Sequence, residues 1–386
     1  MPWKEATPMA QRKELIEDFE RGLFNLSELC RQFGVSRKTA YKWLERYGEG
    51  GVEALADRSH APSRCPHRTG SSEVAAIVAL REKHPRWGPR KLLDWLEDRR
   101  PGSAWPARST AADILRRHGL VRPRRRRPGI EHPGKPKTVA SEPNRVWTGD
   151  FKGHFRTGDG WYCYPLTVVD SCSRYLLGCQ GLESTAHELA QPVFRRLFAE
   201  FGLPDAIRTD NGTPFATTAI GRLSRLSVWW LKLGIRPELI EPAHPEQNGS
   251  HERMHRELKA ETTRPPAATL RGQQRRFEAF RREFNEERPH ESLGGIPPAR
   301  IYRPSSRPLP QRTPQVEYPG HFEVRRVSRN GGIRWKCDWV NVSHVLMEED
   351  VGLEEVADGI WNLYFGPLLL GRFDERERRL YGARYQ

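Results

Sequence analysis

Apolar positions in the first fifty residues recur three and four apart, the period of a helix with one buried face. Leu15 and Phe19 begin the pattern, Leu26, Leu29 and Phe33 continue it, and Ala40, Trp43, Leu44 and Tyr47 complete it. Gly34 marks a tight turn and Ser36 a helix N-cap, so the last segment is predicted to turn Arg37, Lys38 and Lys42 outward. Three short helices with a glycine turn before a basic helix fit a helix-turn-helix over residues 1–60; a basic helical bundle that touches no DNA is the alternative. A second helical run over 70–121 has Leu92, Leu93, Leu96, Ile114 and Leu115 as core candidates, Ser109 as a predicted N-cap and Gly119 as a predicted stop.

Residues 122–144 lose the apolar pattern to Arg, Lys and Pro and read as a linker. Arg124, Arg125, Arg126 and Arg127 in it are candidates for tracking phosphates. From 145 the period shortens to that of strands. A first strand is predicted to end near Phe155 with Asp150 at its centre, followed by a Gly-Asp-Gly turn at 158–160 and two more strands split near 170–173. An amphipathic helix over 184–201, a strand ending before Asp210, a helix over 218–233, a strand at 237–241 and a helix capped by Ser250 follow. Strands first, then strand and helix in alternation, predict a mixed sheet with helices packed on it over 145–302. Residues 303–314 read as a second linker and 315–386 as a small β-barrel, making an α+β multidomain chain.

Composition narrows the partner. Among 386 residues, Lys plus Arg number 64 against 49 Asp plus Glu, a net charge of +15, which calls for a polyanion. No apolar run is long enough for a membrane span and no signal peptide is visible, so a cytoplasmic, DNA-associated location is expected. The six cysteines form no CxxC pair, which argues against zinc.

Asp150 inside a β-forming run and Asp210 at the end of another are unfavourable placements unless exposed or liganded. Carboxylates from different elements that converge can hold two Mg²⁺ ions, roughly 3.5–4 Å apart, for phosphoryl transfer. Two glutamates, Glu246 and Glu252, compete to be the third acid.

The blocks VWTGDFKGHF, YPLTVVDSCSRY, GLPDAIRTDNGTPF, HPEQNGSHERMHRELK and NEERPHESLGGIPPARIY occur in that order. Together they resemble the integrase core of DDE transposases of the IS481/IS3-like insertion-sequence group, related to retroviral integrases. The resemblance covers roughly residues 145–302 and, more loosely, the helical front. It implies a ribonuclease H-like core, Mg²⁺ or Mn²⁺ dependence, cleavage and strand transfer of double-stranded DNA at transposon ends and target, and a homo-oligomer. It carries the catalytic and metal-binding roles to Asp150 and Asp210, with Asp170 beside them as a strand-end residue that is either structural or a support for those ligands.

For the third acid, counting favours Glu246, with 35 residues between it and Asp210; 41 separate Asp210 from Glu252. The family block His-Pro-Gln-x-x-Gly-x-x-Glu-Arg favours Glu252, which would share a helix face with His255, Arg256 and Lys259. Arg256 and Lys259 then read as DNA-phosphate contacts. A DNA-binding regulator with an inactive core, and a ribonuclease H-type nuclease without joining activity, are the alternatives.

Overall fold

The computed structural model describes residues 7–58, 68–121, 138–240 and 249–382. Glu246 and Arg124, Arg125, Arg126 and Arg127 lie outside them. The chain divides into two units, residues 1–68 and 69–386.

In the first unit, α1 (Pro8–Glu20), α2 (Leu26–Gln32) and α3 (Arg37–Gly50) close around Leu15, Ile16, Leu29, Ala40 and Trp43. Local chemistry sets their ends. Asn25 and Glu28 form a reciprocal capping box, Gly34 turns the chain at φ +63°, and Ser36 accepts from the Thr39 amide at 3.2 Å. Phe19 does not join the core and is 38% exposed, because adjacent Leu15 and Ile16 define the buried stripe of α1.

The second unit begins with α4 (Ser71–Lys83), α5 (Pro89–Arg99) and α6 (Arg108–Arg117), packed around Ile77, Trp87, Leu92, Leu96 and Ile114. Ser109 lies inside the first turn of α6 and is not its N-cap; Ala107 holds that position. Gly119, at φ +69°, follows the helix end as expected.

Next come β1 (Val146–Phe151), β2 (Phe155–Arg156), β3 (Tyr162–Asp170), β4 (Leu176–Leu182), α7 (His187–Phe201), β5 (Ala206–Thr209), α8 (Arg225–Lys232), β6 (Arg236–Leu239), α9 (Gly249–Thr262) and α10 (Leu270–Glu286). Strand β1 stops at Phe151 rather than reaching Phe155, so Asp150 is near its end and not at its centre. The helix expected over 218–233 is shorter, because Ser224 caps α8 by accepting from the Ser227 amide. Ser250 falls within α9 rather than ahead of it.

The strands run β4-β3-β1-β5-β6, antiparallel between β1 and β3 and between β3 and β4, and parallel from β1 through β5 to β6; β2 pairs with the start of β3. Trp147, Phe194, Phe198 and Trp230 fill the side covered by α7 and α8. Val169, Cys179, Met254, Leu258 and Phe277 fill the side covered by α9 and α10. This is the mixed sheet with helices on both faces that the ribonuclease H-like expectation requires.

The C-terminal strands are β7 (Glu323–Arg326), β8 (Gly332–Trp335), β9 (Asp338–Asn341), β10 (Asp350–Ala357), β11 (Ile360–Phe365), β12 (Leu368–Asp374) and β13 (Arg379–Gly382). The expected barrel does not close among the described residues. They form an open sheet, β13-β12-β11-β10-β7, and a separate β8-β9 ribbon. Closure is unnecessary because Leu223, Val228 and Leu231 from the α8 region share one core with Val351, Leu353, Phe365 and Phe373 of this sheet. Lys232 adds an ion pair to Glu349 at 2.8 Å.

Candidate active site

The register of two parallel strands brings the two aspartates together. Val146 pairs with Ala206 and Gly149 with Thr209, and the same register carried one residue further sets Asp150 beside Asp210. Asp210 follows the last residue of β5, where an Asp-Asn-Gly turn begins, and its carboxylate accepts from the Gly212 amide at 3.2 Å. Glu252 comes from a third element, the exposed side of the first turn of α9.

The electrostatics register this convergence. Burial first, and then the charges of Asp210 and Glu252, raise the Asp150 carboxyl from 3.8 to about 7, against the opposing effects of the Phe151 amide and Lys152. Asp210 is also raised, by burial. The charges of Asp210 and Glu252 thus oppose the ionisation of Asp150, a cost that a bound cation would offset.

Behind Asp150 lies a buried polar set. The Thr167 hydroxyl donates to the Asp150 carbonyl oxygen at 3.1 Å, and its Oγ1 is 2.6 Å from Nε2 of both His251 and His255. The set closes if each ring carries its proton on Nε2 and donates to Thr167, with His251 Nδ1 accepting at 2.8 Å from the Thr148 hydroxyl, which then forgoes its longer 3.3 Å bond to the Val169 carbonyl. That leaves His255 Nδ1 unprotonated, 3.5 Å from Asp150 Oδ2. Both rings are buried, and burial lowers their pKa values, that of His251 to about 3. His255 is therefore buried against the sheet while it still lines the cleft with Glu252, Arg256 and Lys259.

In front of Asp150 and Glu252 is an open cleft of about 540 Å³, lined also by Lys152, Arg256, Lys259, Arg264 and Arg86. Asp210 does not line it directly. Arg256 and Lys259 are where the sequence places them; Lys152, Arg264 and Arg86 were missed. Lys152 had a signal, two residues along the chain from Asp150 and so on the same face, whereas Arg86 is far away in the sequence. Asp170 is occupied structurally, accepting from the Asn144 amide at 2.7 Å, the Ser173 amide at 2.8 Å and the Ser173 hydroxyl at 2.6 Å.

Profiles described as Integrase core domain match residues 140–245 and 233–298. Helix-turn-helix and homeodomain-like profiles match 11–63 and 39–115. The chain is 28% identical over 305 residues to an insertion element IS476 uncharacterized 39.2 kDa protein from Xanthomonas euvesicatoria, covering 77% of this chain and 78% of the relative. It is 27% identical over 228 residues to an insertion element IS407 uncharacterized 31.7 kDa protein from Burkholderia multivorans, covering 58% and 79%. The chain belongs to the insertion-element DDE transposases with an integrase-type core.

A solved structure of the HTLV-2 integrase catalytic core domain in complex with magnesium is similar at a TM-score of 0.34 and 16% identity, covering 43% of the transposase and all of that chain. No helix among the transposase's described residues is long and apolar enough to cross a membrane. Arg37, Lys38 and Lys42 are exposed on α3.

Among the described residues, no three His, Cys, Asp or Glu side chains stand close enough to enclose a metal ion. The donor set still fits a hard divalent cation. Its available groups are carboxylate oxygens, the two nearby imidazoles are committed to Thr148 and Thr167, and such cations keep several waters and accept oxygens from substrate phosphates.

Sequence reasoning also missed Arg288, which is 2% exposed. It binds Glu261 and Glu283 at 2.7 Å each and Glu257 at 2.5 Å. Two of these acids are on α9, so Arg288 fixes the helix that carries Glu252 against α10.

Proposed function

We propose that Asp150, Asp210 and Glu252 are the catalytic acids of this transposase and hold Mg²⁺ or Mn²⁺. The observation that carries the reading is the parallel β1–β5 register, which sets Asp150 beside Asp210 while the Glu252 charge acts on the same carboxyl. Bound there, the cation would supply a Lewis acid that activates water and stabilises charge on the leaving oxygen.

The chain's own groups do the rest. Once it gave up the proton that burial and its neighbours favour, Asp150 would hold the cation through its carboxylate. Lys152, Arg256 and Lys259 hold backbone phosphates of double-stranded DNA in the cleft. At the transposon end, a water oxygen bonds to phosphorus, the bond from phosphorus to the 3′ oxygen breaks, and a proton ends on that oxygen. The freed 3′-hydroxyl then attacks a target phosphodiester, displacing the target's own 3′ oxygen. Both steps transfer the phosphoryl group directly, so no Ser or Tyr nucleophile is required. Arg37, Lys38 and Lys42 bind the element's ends, Arg124, Arg125, Arg126 and Arg127 track phosphates, and a homo-oligomer holds two ends together, as the family resemblance implies.

The test is cleavage and joining of an end-sequence duplex in Mg²⁺ by Glu252→Gln and Glu246→Gln. Glu252→Gln should lose both steps, by a factor of about 10³ or more if a charge acting on the transition state is removed, and Glu246→Gln should retain them. The opposite result would move the third acid to Glu246. Cleavage without joining by the wild type would favour a simple nuclease, and neither step a regulator.

A further inference from the structure

We propose that Arg86, in the loop between α4 and α5, completes the catalytic cleft from the second helical module and grips a phosphate of the DNA strand lying there. The inference rests on the transposase reading of the cleft.

Arg86 lines the cleft with Asp150 and Glu252, although 63 residues separate it from Asp150 in the sequence. Its loop is held rigidly. Trp87 is buried and stacked on His84 with ring centroids 4.0 Å apart, and the Trp87 amide donates to the His84 carbonyl at 3.0 Å. The loop and its flanking helices are tied to α9 and α10 by Lys83–Glu287 at 3.5 Å, His84–Glu283 at 3.8 Å and Lys91–Glu257 at 3.6 Å. A bidentate pair from Arg300 to Asp98, 2.6 Å on each arm, ties the far end of α5 to the core.

Arg86 is otherwise underused. Its Nη2 donates to the Ala260 carbonyl at 3.2 Å, which leaves most of an exposed guanidinium free to face the cleft. Among the described residues, none of the five cleft cations, Arg86, Lys152, Arg256, Lys259 and Arg264, has a carboxylate within ion-pair distance. Elsewhere in this chain, cations of the same modules are paired, as at Lys91 and Arg300. Five unpaired cations from three separate segments around one cleft match the spaced negative charge of a phosphodiester backbone, and a planar guanidinium offers two parallel donors to a single phosphate.

The test measures binding and cleavage of a fluorescein-labelled duplex carrying the element's terminal sequence, by the full chain, from 50 to 200 mM salt. Arg86→Ala should flatten the slope of log affinity against log salt by about 0.9, the value of one neutralised phosphate, and lower cleavage by about tenfold at a given occupancy. Arg86→Lys should restore the slope. Arg300→Ala removes an exposed cation that does not line the cleft, while the Lys83, His84 and Lys91 ties keep the module docked, and should leave the slope unchanged. An unchanged slope in Arg86→Ala, or the same change in Arg300→Ala, would overturn the assignment and leave Arg86 as a docking residue. The binding arm reads the inference even if the wild type cleaves nothing, an outcome that would count against the catalytic reading alone.

Discussion

Replacing Asp150 with Asn removes a charge that the folded core resists. Burial, Asp210 and Glu252 lift this carboxyl from 3.8 to about 7. An acid raised on folding keeps its proton in the native chain where the unfolded chain has released it, so native stability falls as pH climbs through that interval. Across the whole interval the effect approaches about 4 kcal/mol, at about 1.36 kcal/mol for each pH step. Asparagine has the same shape and never ionises, so it escapes this loss. Its own amide must still be buried near Lys152, which reduces the expected gain at pH 8 to about 2–3 kcal/mol. Urea unfolding followed by tryptophan fluorescence, in EDTA at pH 5 and 8, measures it. Asp150→Asn should be more stable than the wild type at pH 8, by a margin about 2 kcal/mol larger than at pH 5. Mg²⁺ should then narrow the margin by stabilising the wild type alone, while the variant loses cleavage. A margin that is absent at pH 8, or that does not grow with pH, would show that burial and the neighbouring charges do not raise the Asp150 carboxyl as described.

Arg288→Met should cost about 3–5 kcal/mol in thermal unfolding, because three half-buried glutamates are deprived of their shared cation. Although burial raises it, Glu257 is held below 4.5 on balance by Arg288 and Lys91, so its share is fully present above that value and is lost as pH falls from there through its lowered native pKa; the cost should shrink in acid. Thr167→Val should cost about 2–4 kcal/mol by stranding two buried imidazole donors, and Thr167→Ser, which keeps the hydroxyl, should recover most of it in the same unfolding assay. The double change Arg37→Ala, Lys42→Ala should weaken end binding in anisotropy titrations and flatten its salt dependence by about 0.9 for each phosphate that is no longer neutralised; an unaltered slope would remove α3 from the DNA interface.

Much of this protein is legible along the chain, because the signals are local. Asn25, Gly34 and Ser36 fix the ends of α2 and α3 through bonds spanning three or four residues, and the exposure of Arg37, Lys38 and Lys42 follows from the helical period. The strand pattern around Asp150 and the turn at Asp210 are equally local, and the family blocks add the order of elements. The preference for Glu252 over Glu246 rests on those blocks too.

What tertiary structure decided depends on which surfaces meet. The C-terminal strands alternate in a way that suits a barrel or an open sheet equally well; the outcome turned on Leu223, Val228 and Leu231 being available to cover their apolar side. His255 has the helical spacing of Glu252 and lines the same cleft, but only the packing of α9 on the sheet shows that Thr167 lies opposite and holds it. Arg86 and Arg288 carry no local mark, since each acquires its role from partners on other elements: a cleft floor in one case, three glutamates in the other. Sequence period determines which way a side chain points from its own backbone; the register between β1 and β5, and the docking of α5 on α9 and α10, determine what it meets there.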